Sequence, residues 1–122
     1  MEVRKDKGVV ILTITEDDLN DPKTTSRIVE DLLKIDGETR IVADLSQIQN
    51  IYSLQIGTLV TIHVLCYENV AVMKLAGASE KVKNLLRMVG LESMMEMHHG
   101  ADVAAQSFGP PQGGPGDPRL KH

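Results

Sequence analysis

Ser53 is the residue of this chain whose type and position best suit a chemical modification. It follows a short, mostly polar turn over residues 44–52 and stands where a long apolar segment begins. A serine hydroxyl can accept a phosphoryl group, which adds roughly −1.5 to −2 charge at pH 7. A helix start tolerates that charge because its free N–H groups and dipole favour anions. Ser53 is therefore a candidate phosphoacceptor, and the alternative is a serine that only caps the helix.

Two other clusters of polar residues invite a metal-binding hypothesis. Four acids between residues 16 and 21 carry the oxygen ligands that calcium prefers, but the spacing of an EF-hand loop and its terminal glutamate are absent. His98 and His99 stand beside Glu96, yet adjacent side chains on a strand point to opposite faces and do not converge. The sequence therefore predicts no metal site.

The sequence contains no known catalytic motif. Ser53 has no histidine and acid spaced as in known nucleophile motifs, and no Gly-rich phosphate loop is present. Cys66, the one cysteine of the chain, lies in an apolar helical run and is expected to be a buried, inert thiol. We predict a protein that is not an enzyme and that needs no cofactor.

Composition narrows the class of protein further. A chain of 122 residues with 42% hydrophobic content fits one globular domain. The net charge of −4 offers no basic stripe for nucleic acid, and the two Tyr and one Phe are too few for base stacking. No apolar stretch is long enough to span a bilayer, and the first residues lack the apolar core of a signal peptide. These features predict a cytoplasmic protein without membrane insertion.

Turn residues and hydrophobic periodicity divide the chain into alternating strands and helices. The predicted strands span 3–5, 9–15, 39–45, 70–76 and 94–98, and the predicted helices span 22–35, 53–67, 79–89 and 102–108. A strand pair followed by alternating helices and strands is typical of an α/β sandwich, with a mixed sheet opened by an N-terminal hairpin and helices packed on it. The domain is predicted to cover 1–108, and the Pro- and Gly-rich segment 109–122 to be a disordered tail.

The helix predicted over 53–67 is unusually apolar around its whole circumference. A helix packed on a sheet needs an apolar stripe on only one side, so the surplus indicates either burial under a neighbouring helix or a partner surface. His63, in the middle of this helix, is expected to be packed or partly exposed and not to be a ligand.

Two stretches resemble the STAS family, whose members include bacterial anti-sigma factor antagonists. The first is the run 44–57, which begins Asp-Leu-Ser and in which Ile51, Ser53 and Gly57 match the family pattern without a gap. The second is the segment 70–95, with a strand, a turn of small residues, a helix and a closing Gly-Leu-Glu. The resemblance covers about residues 3–108 and implies a STAS-like sandwich.

The resemblance also implies a mechanism, called partner switching. An unphosphorylated antagonist binds an anti-sigma factor that has serine kinase activity, and phosphorylation of the second serine of the motif releases it. In this chain that position is Leu54, which has no hydroxyl, and Tyr52 and Gln55 also depart from the pattern. Two interpretations follow: Ser53 is a displaced acceptor, or the domain binds its partner constitutively.

The predicted docking surface surrounds the start of this helix. We expect the partner-binding residues to be Tyr52, Ser53, Leu54, Gln55 and Thr58. The partner implied by the resemblance is an anti-sigma factor with kinase activity. The alternative is a non-switching STAS subunit that docks on a transporter ATPase or belongs to a stress-sensing scaffold. The sequence leaves a homodimer open.

Overall fold

The computed structural model describes residues 1–110, so most of the predicted tail lies outside the described residues. The chain opens with the expected hairpin, in which β1 (Glu2–Asp6) pairs antiparallel with β2 (Val9–Thr13). The turn between them places Lys7 at φ 52° and Gly8 at φ 83°. Two positive φ values match the right-handed twist of the strands. β2 ends two residues before the predicted boundary, because Thr15 caps the next element.

The polar connection after β2 contains a helix that the sequence analysis did not predict. α1 (Glu16–Leu19) begins with a capping box, in which the Thr15 hydroxyl accepts a hydrogen bond from the Asp18 N–H at 3.2 Å. The Asp18 carboxylate in return accepts a hydrogen bond from the Thr15 N–H at 2.8 Å. Four residues are too short for hydrophobic periodicity to show. For that reason the predicted elements did not include α1.

The next helix starts where the sequence predicts. α2 (Pro22–Lys34) is capped by Asp21, whose carboxylate accepts a hydrogen bond from the Thr24 N–H at 3.2 Å. That bond stabilises the carboxylate and lowers the pKa of Asp21. The helix was predicted to extend through Ile35, but Ile35 lies after the last helical residue and is 76% exposed.

Three parallel strands complete a five-stranded mixed sheet in the order β1-β2-β3-β4-β5. They are β3 (Arg40–Asp44), β4 (Val72–Ala76) and β5 (Met97–His98). The last strand was predicted from residue 94, but a 3-10 turn over Leu91–Ser93 delays it. The mixed sheet with an N-terminal hairpin is the α/β architecture that the sequence predicts.

The sheet carries helices on both faces. α1, α2, α3 (Ser53–Glu68) and α4 (Glu80–Met88) cover one face over the main core, and α5 (Ala101–Gln106) covers the other. Ser79 caps α4 as predicted, with its hydroxyl accepting a hydrogen bond from the Val82 N–H at 3.2 Å. The crossovers between parallel strands place the loop after β3 and the start of α3 at the carboxyl end of the sheet.

Two buried basic side chains, Arg40 and Lys74, lie on the sheet face that α5 covers, and they were not predicted to be buried. Lys74 Nζ donates a hydrogen bond to Ser107 Oγ at 2.7 Å and lies 4.3 Å from the centre of the Phe108 ring. Arg40 Nη1 donates to the Pro110 carbonyl at 2.7 Å. These contacts hold residues 107–110 on the sheet, including the first two residues of the segment assigned to the tail.

Candidate functional site

The loop over residues 45–52 is anchored by three apolar side chains between β3 and α3. Leu45, Ile48 and Ile51 all point into the main core, with exposed fractions of 4% or less. The side chains between and after them face solvent: Ser46, Gln47, Gln49, Tyr52, Ser53 and Leu54. The buried apolar side chains fix the loop on the domain, and the side chains between them are exposed to solvent.

Polar contacts from distant parts of the chain fix the same loop. The Glu16 carboxylate accepts a hydrogen bond from the Gln49 N–H at 3.0 Å, and Lys81 Nζ donates to Asn50 Oδ1. After β4, Gly77 has φ +72°, and a Cβ there would lie 2.8 Å from Asp44 Oδ1. That close approach leaves no space for a larger residue beside the start of the loop.

Gln55 was expected to contact a partner, and the structure contradicts this. Its side chain is only 3% exposed. Gln55 Oε1 accepts a hydrogen bond from the Tyr52 N–H at 2.9 Å, and its Nε2 donates to Asn20 Oδ1 at 3.2 Å. The amide turns back toward the helix start because it satisfies a free N–H of the first turn. Gln55 therefore supports the surface without forming part of it.

Thr58 is corrected for the same reason. It is 2% exposed, and its hydroxyl donates to the Leu19 carbonyl at 2.7 Å. Leu19 is the last residue of α1, so this bond ties the end of α1 to the first turns of α3. A buried carbonyl that lost this donor would carry a desolvation penalty.

Ser53 is exposed and is the first helical residue of α3. The cap position belongs to Tyr52, whose backbone is extended with φ −122° and ψ 172°. The interpretation of Ser53 as a helix cap is therefore wrong. The structure gives its hydroxyl no hydrogen-bond partner among residues 1–110. The hydroxyl is accessible at the positive end of a 16-residue helix, where added negative charge is favourable.

Tyr52 and Leu54 flank Ser53 and are both exposed apolar side chains. Their exposed fractions are 65% and 58%. Tyr52, the last residue of the anchored loop, and Ser53 and Leu54, the first two residues of α3, form a small, mostly apolar surface with a hydroxyl at its centre. Such an arrangement can dock another protein, and phosphate on the hydroxyl would place charge in the middle of it.

The rest of α3 shows which of its apolar side chains are buried and which are exposed. Ile56, Val60 and Leu65 are partly buried against the main core cluster, whereas Val64 and Tyr67 remain 43% and 78% exposed. Neighbouring elements therefore cover some of the additional apolar side chains of α3, and the others face solvent.

Cys66 is fully buried on α3, as expected. Burial disfavours the thiolate and raises the pKa of the thiol to about 12. We therefore predict that a thiol reagent at about pH 8 modifies the folded protein far more slowly than the urea-unfolded protein, whose thiol has an ordinary pKa. Absorbance of the released reagent chromophore measures both rates, and equal rates would contradict the burial of Cys66.

Three of the four acids of residues 16–21 make contacts that hold the local structure. Glu16 holds the loop over residues 45–52, and Asp21 caps α2. Asp18 completes the capping box of α1 and forms an ion pair with the amino group of Met1, with 3.3 Å between the nitrogen and the carboxylate oxygen. Within residues 1–110, no three His, Cys, Asp or Glu side chains converge as a metal site requires. None of the helices in that same part of the chain has the length and apolar content that crossing a bilayer requires.

Comparison with known proteins gives the family of this fold. The family model that describes the STAS domain matches residues 1–104. The protein belongs to the STAS domain family. No curated protein matches the sequence of this STAS domain.

Solved structures share the STAS fold at low sequence identity. A Thermotoga maritima protein assigned as an anti-sigma factor antagonist aligns with a TM-score of 0.73 and 20% identity, over 87% of this chain and 92% of that one. A STAS-domain anti-sigma factor antagonist from Planctomyces limnophilus aligns with a TM-score of 0.73 and 12% identity, over 88% and 96%. A chain of the stressosome, a signal integration and transduction hub, aligns with a TM-score of 0.72 and 21% identity, over 88% and 95%.

The residues that hold the loop of this STAS domain from outside were not among the predicted site residues. Glu16, Asn20 and Lys81 lie 31–35 positions away from the loop or helix residues that they contact. No local pattern marks such contacts, because they depend on how α1 packs against α3 and on where α4 lies relative to the loop.

Proposed function

We propose that this STAS domain is a non-catalytic regulatory module that binds another protein through Tyr52, Ser53 and Leu54, in the manner of an anti-sigma factor antagonist. The observation that carries the proposal is the exposure of Tyr52 and Leu54 where α3 begins, directly after a loop that contacts from α1 and α4 hold in place. A fixed loop loses little conformational entropy on binding, and covering two large apolar side chains provides affinity.

The proposed partner is an anti-sigma factor with serine kinase activity, for which a sigma factor competes. The motif at residues 44–57 and the similarity in fold to anti-sigma factor antagonists support this class of partner. Both partners act in the cytoplasm, which we propose as the location. The proposal requires no metal and no cofactor.

The test of this function is a reconstitution with purified proteins. Anti-sigma factors encoded in the same genome are titrated against the full chain by isothermal calorimetry, and each complex is challenged with the cognate sigma factor. We expect one anti-sigma factor to bind and its sigma factor to compete. Absence of binding by every candidate would contradict this function.

Binding in this domain is proposed to be constitutive, because the position that receives phosphate in the family is Leu54. We therefore predict that incubation with the bound kinase and ATP leaves Ser53 unmodified and the complex intact. Mass spectrometry of the intact chain measures the modification. A phosphate that appears on the wild type and not on Ser53→Ala would instead establish Ser53 as a displaced acceptor and overturn the constitutive proposal.

The lack of a hydroxyl at Leu54 also favours a second function, that of a non-switching subunit. In this alternative the same surface docks on a transporter ATPase or on other STAS domains of a stress-sensing scaffold. Affinity purification from the native cell discriminates between the two functions. Recovery of a transporter ATPase or of a large STAS assembly supports the second, and recovery of a kinase that a sigma factor displaces supports the first. Light scattering of the purified chain tests the homodimer that the sequence left open.

A further inference from the structure

A second group of exposed apolar side chains lies where α3 ends and β4 begins. Its members are between 43% and 88% exposed, and we call them the α3-end surface: Val64, Tyr67, Val70, Val72 and Met94. Tyr67, Val72 and Met94 line one groove of about 240 Å³. Val70 and Val64 lie one turn after and one turn before Tyr67. A contiguous group of this kind marks an interaction site, unlike the single exposed apolar residues that are normal on a protein.

Val70 is held in this surface at the cost of backbone strain. It follows Asn69, the cap of α3, and has φ 56°, which is an outlier for a β-branched residue. Glycine usually occupies that position after a helix, because it has no Cβ. The chain instead carries a valine that is 88% exposed. The fold gains nothing from this exposed side chain, and strained residues cluster at sites that bind.

The charge beside the α3-end surface is negative. Glu68 is exposed, and within residues 1–110 no lysine or arginine pairs with it. The last turn of α3 contains no basic residue, so the negative end of the helix dipole is also uncompensated. Lys74 lines the groove, but it is 7% exposed and its Nζ lies 3.3 Å from a Glu96 carboxylate oxygen. A basic group that approached this surface would therefore meet an unpaired acid.

The backbone at the start of β4 is already hydrogen-bonded, so a partner would meet side chains. The Ala71 N–H donates to the Cys66 carbonyl at 2.8 Å, and the Val72 N–H donates to the Thr39 carbonyl at 2.9 Å. An extended peptide would find neither N–H free to pair with it. A helix satisfies its own backbone groups and binds through the side chains of one face, which is what this surface offers.

We propose that the α3-end surface binds a basic amphipathic helix of another protein. The apolar face of that helix covers Tyr67 and Val70, and its Lys or Arg side chains pair with Glu68. Complementary charge selects such a partner and speeds its association. A second copy of this domain is a poor occupant, because a two-fold contact would place the same negative surface against itself.

The α3-end surface is separate from the proposed docking site at residues 52–54. The two lie at opposite ends of α3, whose 16 residues span about 24 Å. Binding at one can therefore be tested while the other is unchanged, and either proposal can fail without the other.

The experiment selects displayed helical peptides, randomised at their surface positions, against the immobilised full chain. Calorimetry measures the affinity of an enriched peptide, and NMR of the labelled protein maps where it binds. We expect enriched sequences to have an apolar face bordered by Lys or Arg. We expect amide shifts at Val64, Tyr67, Val70 and Val72, and none at residues 52–54.

Two substitutions test the apolar and the acidic part of the surface. Tyr67→Ser should weaken the selected peptide about tenfold, because it removes the aromatic side chain of the surface. Its matched control Tyr52→Ser, at the other end of α3, should leave the affinity unchanged. Glu68→Lys should weaken the peptide about fivefold, and by less at high salt, where charges are screened. Its matched control Glu2→Lys makes the same change in net charge on β1, at the far edge of the sheet, and should have no effect.

Several results would overturn the proposal. These are the absence of any enriched peptide, enriched peptides without basic residues, NMR shifts confined to residues 52–54, or an affinity that Tyr67→Ser does not change. An equal effect of Glu2→Lys and Glu68→Lys would also overturn it, since net charge alone would then drive binding. Concentration-dependent shifts at Tyr67 and Val70 without peptide would identify a second copy as the occupant instead. Both substituted side chains are exposed, so an unchanged Tm by circular dichroism should separate loss of binding from loss of folding.

Discussion

We expect Leu54→Glu to weaken binding of the protein partner by about 2 kcal/mol or more, which is roughly thirtyfold in Kd, without lowering stability. Leu54 is 58% exposed, so its replacement creates no cavity in the core. A carboxylate at this position would be desolvated against the partner and would leave the apolar surface incomplete. Glutamate in the first turn of α3 is also compatible with the helix dipole.

Calorimetric titration with the partner identified by reconstitution measures the affinity, and thermal unfolding followed by circular dichroism measures the stability. Ile35→Glu is the matched control, because Ile35 is also an exposed apolar residue, at 76%, but lies at the end of α2. It should bind as the wild type does. Retained affinity in Leu54→Glu would exclude the helix start as the docking surface.

Thr58→Val should lower the free energy of unfolding by about 1–3 kcal/mol, the second large effect that we expect. Valine has nearly the shape of threonine but lacks the hydroxyl that donates to the Leu19 carbonyl at 2.7 Å. That carbonyl would remain buried without its donor, and α1 would lose a tie to α3. Urea unfolding at equilibrium measures the change.

Thr61→Val is a close control on the same helix. The Thr61 hydroxyl donates to the Gly57 carbonyl at 2.9 Å, one turn earlier, but this residue is exposed, so water can replace the bond. Its replacement should change the stability by less than about 0.5 kcal/mol. Equal effects of the two substitutions would show that the tie between α1 and α3 contributes nothing beyond a local helix contact.

The burial of Thr58 also bears on the proposed binding, because α1 helps to hold the loop over residues 45–52. Glu16 of α1 accepts a hydrogen bond from the Gln49 N–H, and Asn20, directly after α1, accepts one from Gln55. A loosened α1 would leave the loop free to move, and the partner would then have to order it at an entropic cost. We expect Thr58→Val to weaken binding modestly, through positioning alone.

The sequence by itself determined the elements whose causes are local. Asp21 and Ser79 cap their helices, the Lys7-Gly8 turn closes the hairpin, and apolar runs bounded by turn residues mark the strands. Each follows from neighbours within a few residues, where backbone geometry and hydrophobic period decide. The same local signals located the helix start at Ser53, which the structure shows to be exposed.

Only the tertiary structure decided which side chains around that helix start face solvent. The side chains of α3 are apolar around the whole circumference of the helix. Hydrophobic periodicity therefore could not distinguish the exposed Leu54 from the buried Leu59. Gln55 and Thr58 were expected to bind the partner because they lie near the helix start, yet both are buried and bond to residues 35 and 39 positions away. Contacts at such separation exist only after α1 and α3 pack together, and for that reason no local pattern in the sequence contains them.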